Sequence, residues 1–241
     1  MSTARQQLEQ GKTHSRHDGN QVWGLLIVFV IVLLLWNTVF IAPLKLLVVF
    51  FHELSHAIAA IITGGKVHGM ELNIREGGLT YHSGGNFFLI ASAGYLGSML
   101  WGAMLILAAR FVKRRQVVTF LLGLVLLGAG LLFMRPIFGF GFIFCLVVGF
   151  LMLFLASRAE DGWHDFLLKL IGVTSCLYAV LDIKSDILDR PHLHSDAVAL
   201  QQLTLIPSVV WGVLWMALSI ACTWWCLRLA TRRRAGDETG D

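Results

Sequence analysis

The chain has 241 residues, of which 56% are hydrophobic and 14% are charged, and its formal net charge is +4. A soluble domain is close to half apolar and a quarter charged, so this composition excludes an ordinary soluble protein and favours one embedded in lipid. The positive charge lies largely in terminal and loop clusters, which indicates membrane topology and excludes nucleic acid as the expected partner. We therefore expect an all-α polytopic membrane protein with six to seven transmembrane helices, surrounded by the lipid bilayer.

The N-terminal part of the chain changes from polar to apolar after its first twenty residues. Residues 1–20 carry mostly polar and charged side chains, which is typical of a surface tail. An apolar run from Val22 to Ala42 is long enough to cross a bilayer, and we expect Pro43 to end its helix. We predict one transmembrane domain over residues 21–228, followed by a tail over residues 229–241 that is first basic and then acidic.

The second apolar run, from Leu44 to Thr63, contains an H-E-x-x-H motif formed by His52, Glu53 and His56. Two side chains four positions apart lie about 40° apart around a helix and about 6 Å apart along it, so both imidazoles can bind one tetrahedral zinc. Glu53 follows His52 by about 100° of rotation, which places its carboxylate beside the metal as a general base for a metal-bound water.

The apolar surroundings of this motif favour a metal site over a packing role. A charged group in the middle of a membrane helix costs about 2.5–3.5 kcal/mol on insertion scales, and the motif places three ionisable side chains in one turn. A polar packing cluster is the alternative, but few structural roles would offset such a cost. We therefore predict that His52 and His56 bind Zn²⁺ and that Glu53 is catalytic.

The residues after the motif helix differ in kind from the apolar runs. Residues 66–86 alternate between apolar and polar side chains, and Gly77 and Gly78 interrupt the alternation. This pattern predicts a small β-hairpin with its turn at the two glycines. Its edge could pair with an extended substrate, and a connecting hairpin without a substrate role explains the pattern equally well. We interpret His68 and His82 as polar hairpin residues rather than as metal ligands.

The third span, from Phe87 to Ala109, carries small residues at Gly94, Ser98 and Gly102. This four-residue spacing is typical of a helix face in close contact with another helix and would suit packing near the motif helix. The basic segment 110–115 is a strong signal for a cytoplasmic loop. The later spans are predicted at Val117–Met134, Ile137–Ala156, Phe166–Leu181 and Ser208–Leu227.

The loop before the last span supplies candidates for the third metal ligand. A catalytic zinc needs three protein ligands and an open position for water, and an aspartate from a remote helix end is a suitable third ligand. Asp182 and Asp186 share a helix face and are candidates, although most acids in such a loop are solvated or cap a helix. Asp196 could cap the helix that follows it. We expect His192 and His194 to lie in a surface loop.

The combination of these features resembles the M50B-like peptidase family, which is related to the site-2 protease class of intramembrane zinc metalloproteases. The features are an H-E-x-x-H on a membrane helix, a glycine-rich β segment after it and an aspartate at a later helix end. The segments that carry the resemblance are His52-Glu53-Leu54-Ser55-His56, Ala93-Gly94-Tyr95-Leu96-Gly97-Ser98, Tyr178-Ala179-Val180-Leu181-Asp182-Ile183 and Ser195-Asp196-Ala197.

The resemblance implies a zinc metalloendopeptidase that cuts peptide bonds in or near transmembrane segments of other proteins. It implies that His52 and His56 bind zinc, that Glu53 is catalytic and that an aspartate completes the site. In site-2 proteases this aspartate lies in an L-D-G motif, whereas Asp182 is followed by Ile183 here. We prefer Asp182 as this ligand, with Asp186 and Asp196 as alternatives. The implied partner is a membrane-embedded protein substrate, and we expect the chain to lie in the cell membrane.

A non-proteolytic zinc-binding membrane scaffold or a metal transporter is the competing hypothesis. A transporter is expected to carry polar or acidic residues along a path through several spans. In this sequence the intramembrane ionisable residues concentrate at His52, Glu53 and His56, which favours one fixed site.

Overall fold

The computed structural model describes residues 19–185 and 195–231, and this part of the chain forms eight helices and one two-stranded antiparallel sheet. The predicted all-helical membrane domain with a small hairpin after the motif helix is confirmed. The predictions for the two tails (except their ends at residues 19–20 and 229–231), Asp186, His192 and His194 lie outside the described residues. The elements are α1 Gly19–Leu35, α2 Ala42–Ile62, β1 Lys66–Asn73, β2 Gly77–Ser83, α3 Phe87–Phe111, α4 Arg115–Phe133, α5 Phe140–Arg158, α6 Asp161–Lys184, α7 Asp196–Thr204 and α8 Ser208–Ala230.

Six of these helices, namely α2, α3, α4, α5, α6 and α8, are long and apolar enough to cross a membrane. The predicted first span was too long, because α1 ends at Leu35 and Ala42 already belongs to α2. The hydroxyl of Thr38 donates to the carbonyl of Leu35 at 2.7 Å and closes a turn there. Six full-length helices and one shorter apolar helix agree with the predicted six to seven spans.

Helix α3 lies at the centre of the bundle and packs against α2, α6 and α8. The predicted small-residue face only partly meets the motif helix, because two of its three residues face α6. The hydroxyl of Ser175 donates to the carbonyl of Ser98 at 2.7 Å, and a Cβ atom at Gly102 would lie 2.7 Å from Sγ of Cys176. Gly94 alone of the three meets the motif helix. Small residues let helix backbones approach closely in lipid, where there is no hydrophobic force between helices.

The hairpin packs along α2, and its two edges have different neighbours. Strand β1 pairs with β2 on one side, and on the other side its Met70 forms a bridge with Met134. The amide of Arg135 donates to the carbonyl of Met70 at 2.8 Å. Within the described residues β2 has a neighbouring strand on one side only. Among these residues Met70 of β1 thus has a partner across its outer edge, whereas the outer edge of β2 has no strand beside it.

The hairpin turn lies three residues earlier than predicted. Residues 74–76 connect the strands, and Gly77 and Gly78 belong to β2. The side-chain oxygen of Asn73 accepts hydrogen bonds from the amides of Arg75 and Gly77 at 2.9 and 3.3 Å, so a local side-chain-to-backbone motif makes the turn. The glycines are required for close packing instead, since a Cβ atom at Gly78 would lie 2.5 Å from Cγ of Glu53.

Candidate metal centre

Three potential metal-binding atoms converge in the interior of the bundle. Oδ2 of Asp196 lies 3.2 Å from Nε2 of His52 and 3.3 Å from Nε2 of His56. All three donor atoms lie within 4.8 Å of one another, and their side chains are largely buried. One turn of α2 supplies both imidazoles, and the start of α7, more than 130 residues later, supplies the carboxylate.

The spacing and the hydrogen bonding of these atoms fit a shared metal ion. Two ligand atoms about 2.0–2.1 Å from a tetrahedral zinc lie about 3.3–3.4 Å apart, which is close to both observed separations. Oδ2 of Asp196 is buried, and among the described residues it has no hydrogen-bond partner of normal geometry. Both imidazole nitrogens lie within ion-pair distance of this oxygen, and a cation bound between the three atoms would take the place of the imidazole protons there.

A hydrogen bond on the far side of His56 prepares its ring for metal binding. Nδ1 of His56 lies 2.7 Å from the carbonyl oxygen of Ile90, and only an N–H can donate to a carbonyl. Nδ1 therefore carries a proton, and Nε2 is the nitrogen that faces Asp196 and can bind a metal when it is deprotonated. Metal-binding histidines commonly have their second nitrogen fixed in this way.

The electrostatic surroundings keep Asp196 ionised. Burial raises the pKa of the Asp196 carboxyl, but the neighbouring His56 and His52 outweigh this effect and hold the pKa below its usual range. The carboxylate is the form that binds a metal.

Glu53 is held beside the three donors by the hairpin. Its side chain is buried, and its Oε2 accepts a hydrogen bond from the hydroxyl of Thr80 at 2.7 Å. The same hydroxyl lies 3.0 Å from the backbone carbonyl of Glu53. Gly78 leaves room for the Glu53 side chain, as described above. Strand β2 therefore fixes this carboxylate without neutralising its charge.

Gly94 of α3 lies directly against the donor atoms. A Cβ atom at this position would lie 2.4 Å from Nε2 of His52 and 2.6 Å from Oδ2 of Asp196, which is closer than real Cβ atoms approach other groups. The backbone of α3 thus forms one wall of the space between the donor atoms. A side chain at position 94 would enter that space.

The donors open into a cavity of about 400 Å³ that is lined by α2, α3, α6, α7 and the hairpin. Four carboxylates line it, from Glu53, Glu76, Asp182 and Asp196. Glu76 pairs with Lys45 at 3.2 Å, whereas Glu53 and Asp196, which lie beside the imidazoles, have no lysine or arginine among the described lining residues. Buried carboxylates require a compensating positive charge. A divalent cation held by Asp196 and the two imidazoles would provide it.

The aspartate preferred from the sequence is not in the group of three donors. Asp182 lies near the end of α6 and lines the same cavity, Asp186 is outside the described residues, and Asp196 is the one that meets the histidines. Asp196 does not cap its helix as predicted, because Ser195 does so by accepting a hydrogen bond from the amide of Val198 at 3.4 Å. This leaves the Asp196 carboxylate available to the histidines.

Packing of α7 explains why Asp196 reaches the site. Ala197 and Leu200 are buried against Tyr95 of α3 and Trp215 of α8. The ring of Tyr95 also contacts the ring of His52 edge-on, with centroids 5.2 Å apart. These contacts join segments that are distant in sequence, so they could not be predicted from it. The one sequence signal for Asp196 was its place after Ser195 at the start of a helix.

The remaining hairpin residues have mixed outcomes. Nε2 of His68 lies 2.7 Å from the hydroxyl of Ser83 at an exposed position, which agrees with a polar hairpin residue. His82 lines the metal cavity and contacts the ring of Phe87. Thr80 and Gly78 were not predicted to touch the site, and their only sequence signal is their place in a β segment directly after the motif helix.

Comparison with known proteins identifies the family. No curated protein and no solved structure matches the chain. A family model described as Peptidase M50B-like matches residues 25–226, which cover most of the chain and include all of the donor atoms above. The chain therefore belongs to the Peptidase M50B-like family and is a multi-pass membrane protein of the site-2 protease-type metalloprotease class.

Proposed function

We propose that the chain is an intramembrane zinc endopeptidase that hydrolyses peptide bonds in or near transmembrane segments of other proteins. The observation that carries this proposal is the convergence of His52, His56 and Asp196 on one point beside the buried carboxylate of Glu53. Family membership supports it independently.

Zinc is the metal that this donor set fits best. Two imidazole nitrogens and one carboxylate oxygen, here with N–O separations of 3.2 and 3.3 Å, are a common set for catalytic zinc, and they leave one coordination position open. When bound, zinc would supply Lewis-acid chemistry, polarising a carbonyl and making a water molecule more acidic. We infer that His52, His56 and Asp196 hold this ion, with Asp196 replacing Asp182 as our preferred third ligand.

Glu53 is positioned to move the proton. It follows His52 directly on α2, so its carboxylate flanks the donor atoms without joining them. We propose that it accepts the proton of the attacking water and passes it to the leaving amine. The hydrogen bond from Thr80 at 2.7 Å keeps the carboxylate oriented for both transfers.

The substrate is proposed to be a membrane protein segment in extended form. Residues 77–80 of β2 line the cavity, and among the described residues this strand pairs with β1 alone. An extended peptide can add to such an edge through backbone hydrogen bonds, which places a scissile bond next to Glu53. The basic segment 110–115 is typical of a cytoplasmic loop, and we propose the cell membrane as the location.

The test compares the wild type with Glu53→Gln in proteoliposomes that contain a model substrate. The substrate is a single transmembrane segment with a central helix-breaking glycine-proline pair and a soluble tag at each end. We expect cleavage by the wild type with about one zinc per chain, and no cleavage by Glu53→Gln with the same zinc content. Equal cleavage by both proteins would contradict the role of Glu53. Zinc flux that His52→Ala abolishes, without cleavage, would favour a transporter.

A further inference from the structure

A partly buried ion pair, in which the Glu76 side chain is 30% exposed, joins the tip of the hairpin to α2. Nζ of Lys45 lies 3.2 Å from Oε2 of Glu76, and the lysine side chain is 11% exposed. The same ammonium group lies over the ring of Trp36, 4.9 Å from its centroid. A lysine in an apolar helix is unfavourable without such partners, and this one has both an anion and an aromatic face.

Glu76 occupies a backbone position that normally requires glycine. Its φ is +62°, in the left-handed region, and its amide donates to the carbonyl of Asn73 at 3.2 Å. In a three-residue hairpin loop this last position is usually glycine, because other residues adopt the conformation only with strain. Glycines stand at the next two positions, 77 and 78, yet the left-handed position itself holds glutamate. A local rule broken in this way indicates a requirement for the side chain.

The pair lies at the entrance to the metal cavity. Glu76 itself lines the cavity, and Thr80, which holds Glu53, is four residues farther along β2. Trp36, the aromatic partner of Lys45, contacts the ring of Tyr178 with centroids 6.1 Å apart, and Tyr178 also lines the cavity. The pair therefore connects the α1–α2 turn, α2, α6 and the hairpin on one wall of the cavity.

We propose that Lys45 and Glu76 are positioning residues, which anchor the hairpin tip to α2 so that Thr80 holds Glu53 and the open edge of β2 faces the cavity. This inference rests on the proposed function for its effect on cleavage, whereas the effect on the hairpin itself can be measured without any substrate.

The experiment follows backbone amide exchange in residues 77–83 by mass spectrometry, together with zinc content and cleavage of the model substrate. The main variant is Glu76→Gly, which removes the carboxylate and also relieves the left-handed strain of the turn. Glu76→Gln and Lys45→Met remove one charge each, and Lys45→Glu combined with Glu76→Lys reverses the pair. Arg75→Gln is the matched control, because Arg75 is an exposed charge in the same turn.

We expect amide exchange in β2 to rise roughly tenfold or more in the three single variants, with zinc content unchanged. The rate of the chemical step should fall by a similar factor, and the reversed pair should exchange more slowly than any of the single variants. The Arg75→Gln control should match the wild type. Unchanged exchange in both Glu76→Gln and Lys45→Met, or a reversed pair that exchanges as fast as these two variants, would overturn the proposal. If the wild type cleaves nothing, the proposed protease function fails, while the exchange data still decide whether the pair positions the hairpin.

Discussion

The described part of the bundle contains two buried polar clusters that look alike in composition and differ in arrangement. The metal centre combines His52, His56 and Asp196 with Glu53. A second cluster, which we call the charge cluster, lies where the start of α4 meets the start of α6, and it also buries a histidine beside aspartates. Its members are Arg115, Thr119, Asp161, His164, Asp165 and Lys169.

In the charge cluster each charge has an opposite charge as its neighbour. Nζ of Lys169 lies 2.6 Å from Oδ2 of Asp165, and Arg115 pairs with both Asp165 and Asp161. Nδ1 of His164 lies 3.0 Å from the hydroxyl of Thr119. Two cations face two anions, so the charges compensate one another and the cluster joins α4 to α6, although Nε2 of His164 and Oδ1 of Asp165 have no hydrogen-bond partner among the described residues.

In the metal centre no lysine or arginine lies beside Glu53 or Asp196 among the described residues that line the cavity. Its three donor atoms lie within 4.8 Å of one another, so one ion could contact all three. Burial and residue type therefore do not separate a binding site from a structural cluster, because both clusters contain a buried histidine and aspartates. Donor atoms that converge without a neighbouring lysine or arginine indicate a binding site. Charges that pair with one another indicate a structural cluster.

Removing the donor carboxylate should have the largest effect on this contrast. We expect Asp196→Ala to weaken zinc binding by more than about 100-fold, beyond the range seen for loss of outer contacts, and to abolish cleavage. Asp182→Ala is the matched control, because Asp182 lines the same cavity without belonging to the donor group. Zinc content of the purified proteins, measured by atomic absorption, checks both. Zinc lost in Asp182→Ala and kept in Asp196→Ala would restore the ligand assignment preferred from the sequence.

Filling the space between the donors should have the next largest effect. In Gly94→Ala the new methyl group would overlap Nε2 of His52 and Oδ2 of Asp196, so we expect zinc binding and cleavage to fall at least tenfold through this overlap. Gly128→Ala is the control, since a Cβ atom there meets nothing within 4 Å and the helix gains up to about 1 kcal/mol. Thermal unfolding shows whether activity is lost through this overlap or through a less stable fold. Normal zinc binding in Gly94→Ala would show that the donors do not share one point.

Breaking the charge cluster should change stability and leave the chemistry intact. Lys169→Met removes the closest partner of Asp165 and leaves Arg115, at 3.4 Å, as its remaining cation. We expect the free energy of unfolding to fall by about 1–3 kcal/mol, below the 3–5 kcal/mol of a fully orphaned buried charge. Zinc content and the cleavage rate of the folded protein should equal those of the wild type. Loss of zinc in this variant, with the fold intact, would show that the two clusters are coupled.

The sequence was sufficient for those parts of the structure that depend on neighbouring residues. Apolar runs identified the membrane helices, and the spacing of His52, Glu53 and His56 on one helix predicted two donors and a flanking carboxylate. The third donor depends on contacts of Ala197 and Leu200 with Tyr95 and Trp215. These contacts are distant in sequence, and no spacing rule separates Asp196 from Asp182 before the helices are packed.

The hairpin shows a different limit, which concerns the several uses of glycine. Gly77 and Gly78 satisfied the rule for a turn, yet the Asn73 side chain makes the turn and Gly78 provides space for Glu53. Glycine permits both a left-handed backbone and close approach, and the sequence does not distinguish the two requirements. Glu76, at the left-handed position, could not be recognised without the structure.

The smallest predicted effect concerns how Glu53 is held. Thr80→Val replaces the hydroxyl by a methyl group of similar size, so the fold and the metal donors should be unchanged while Glu53 loses its partner at 2.7 Å. A hydrogen bond to a charged group is worth about 1.5–3 kcal/mol, and since water in the cavity can replace part of it, we expect the cleavage rate to fall roughly tenfold at constant zinc content. Thr174→Val is the control, because its buried hydroxyl donates only to the carbonyl of Leu170 in its own helix. A cleavage rate in Thr80→Val equal to that of Thr174→Val would show that α2 alone orients Glu53. The hairpin would then contribute nothing to the difference between the two clusters, which would depend on the metal donors.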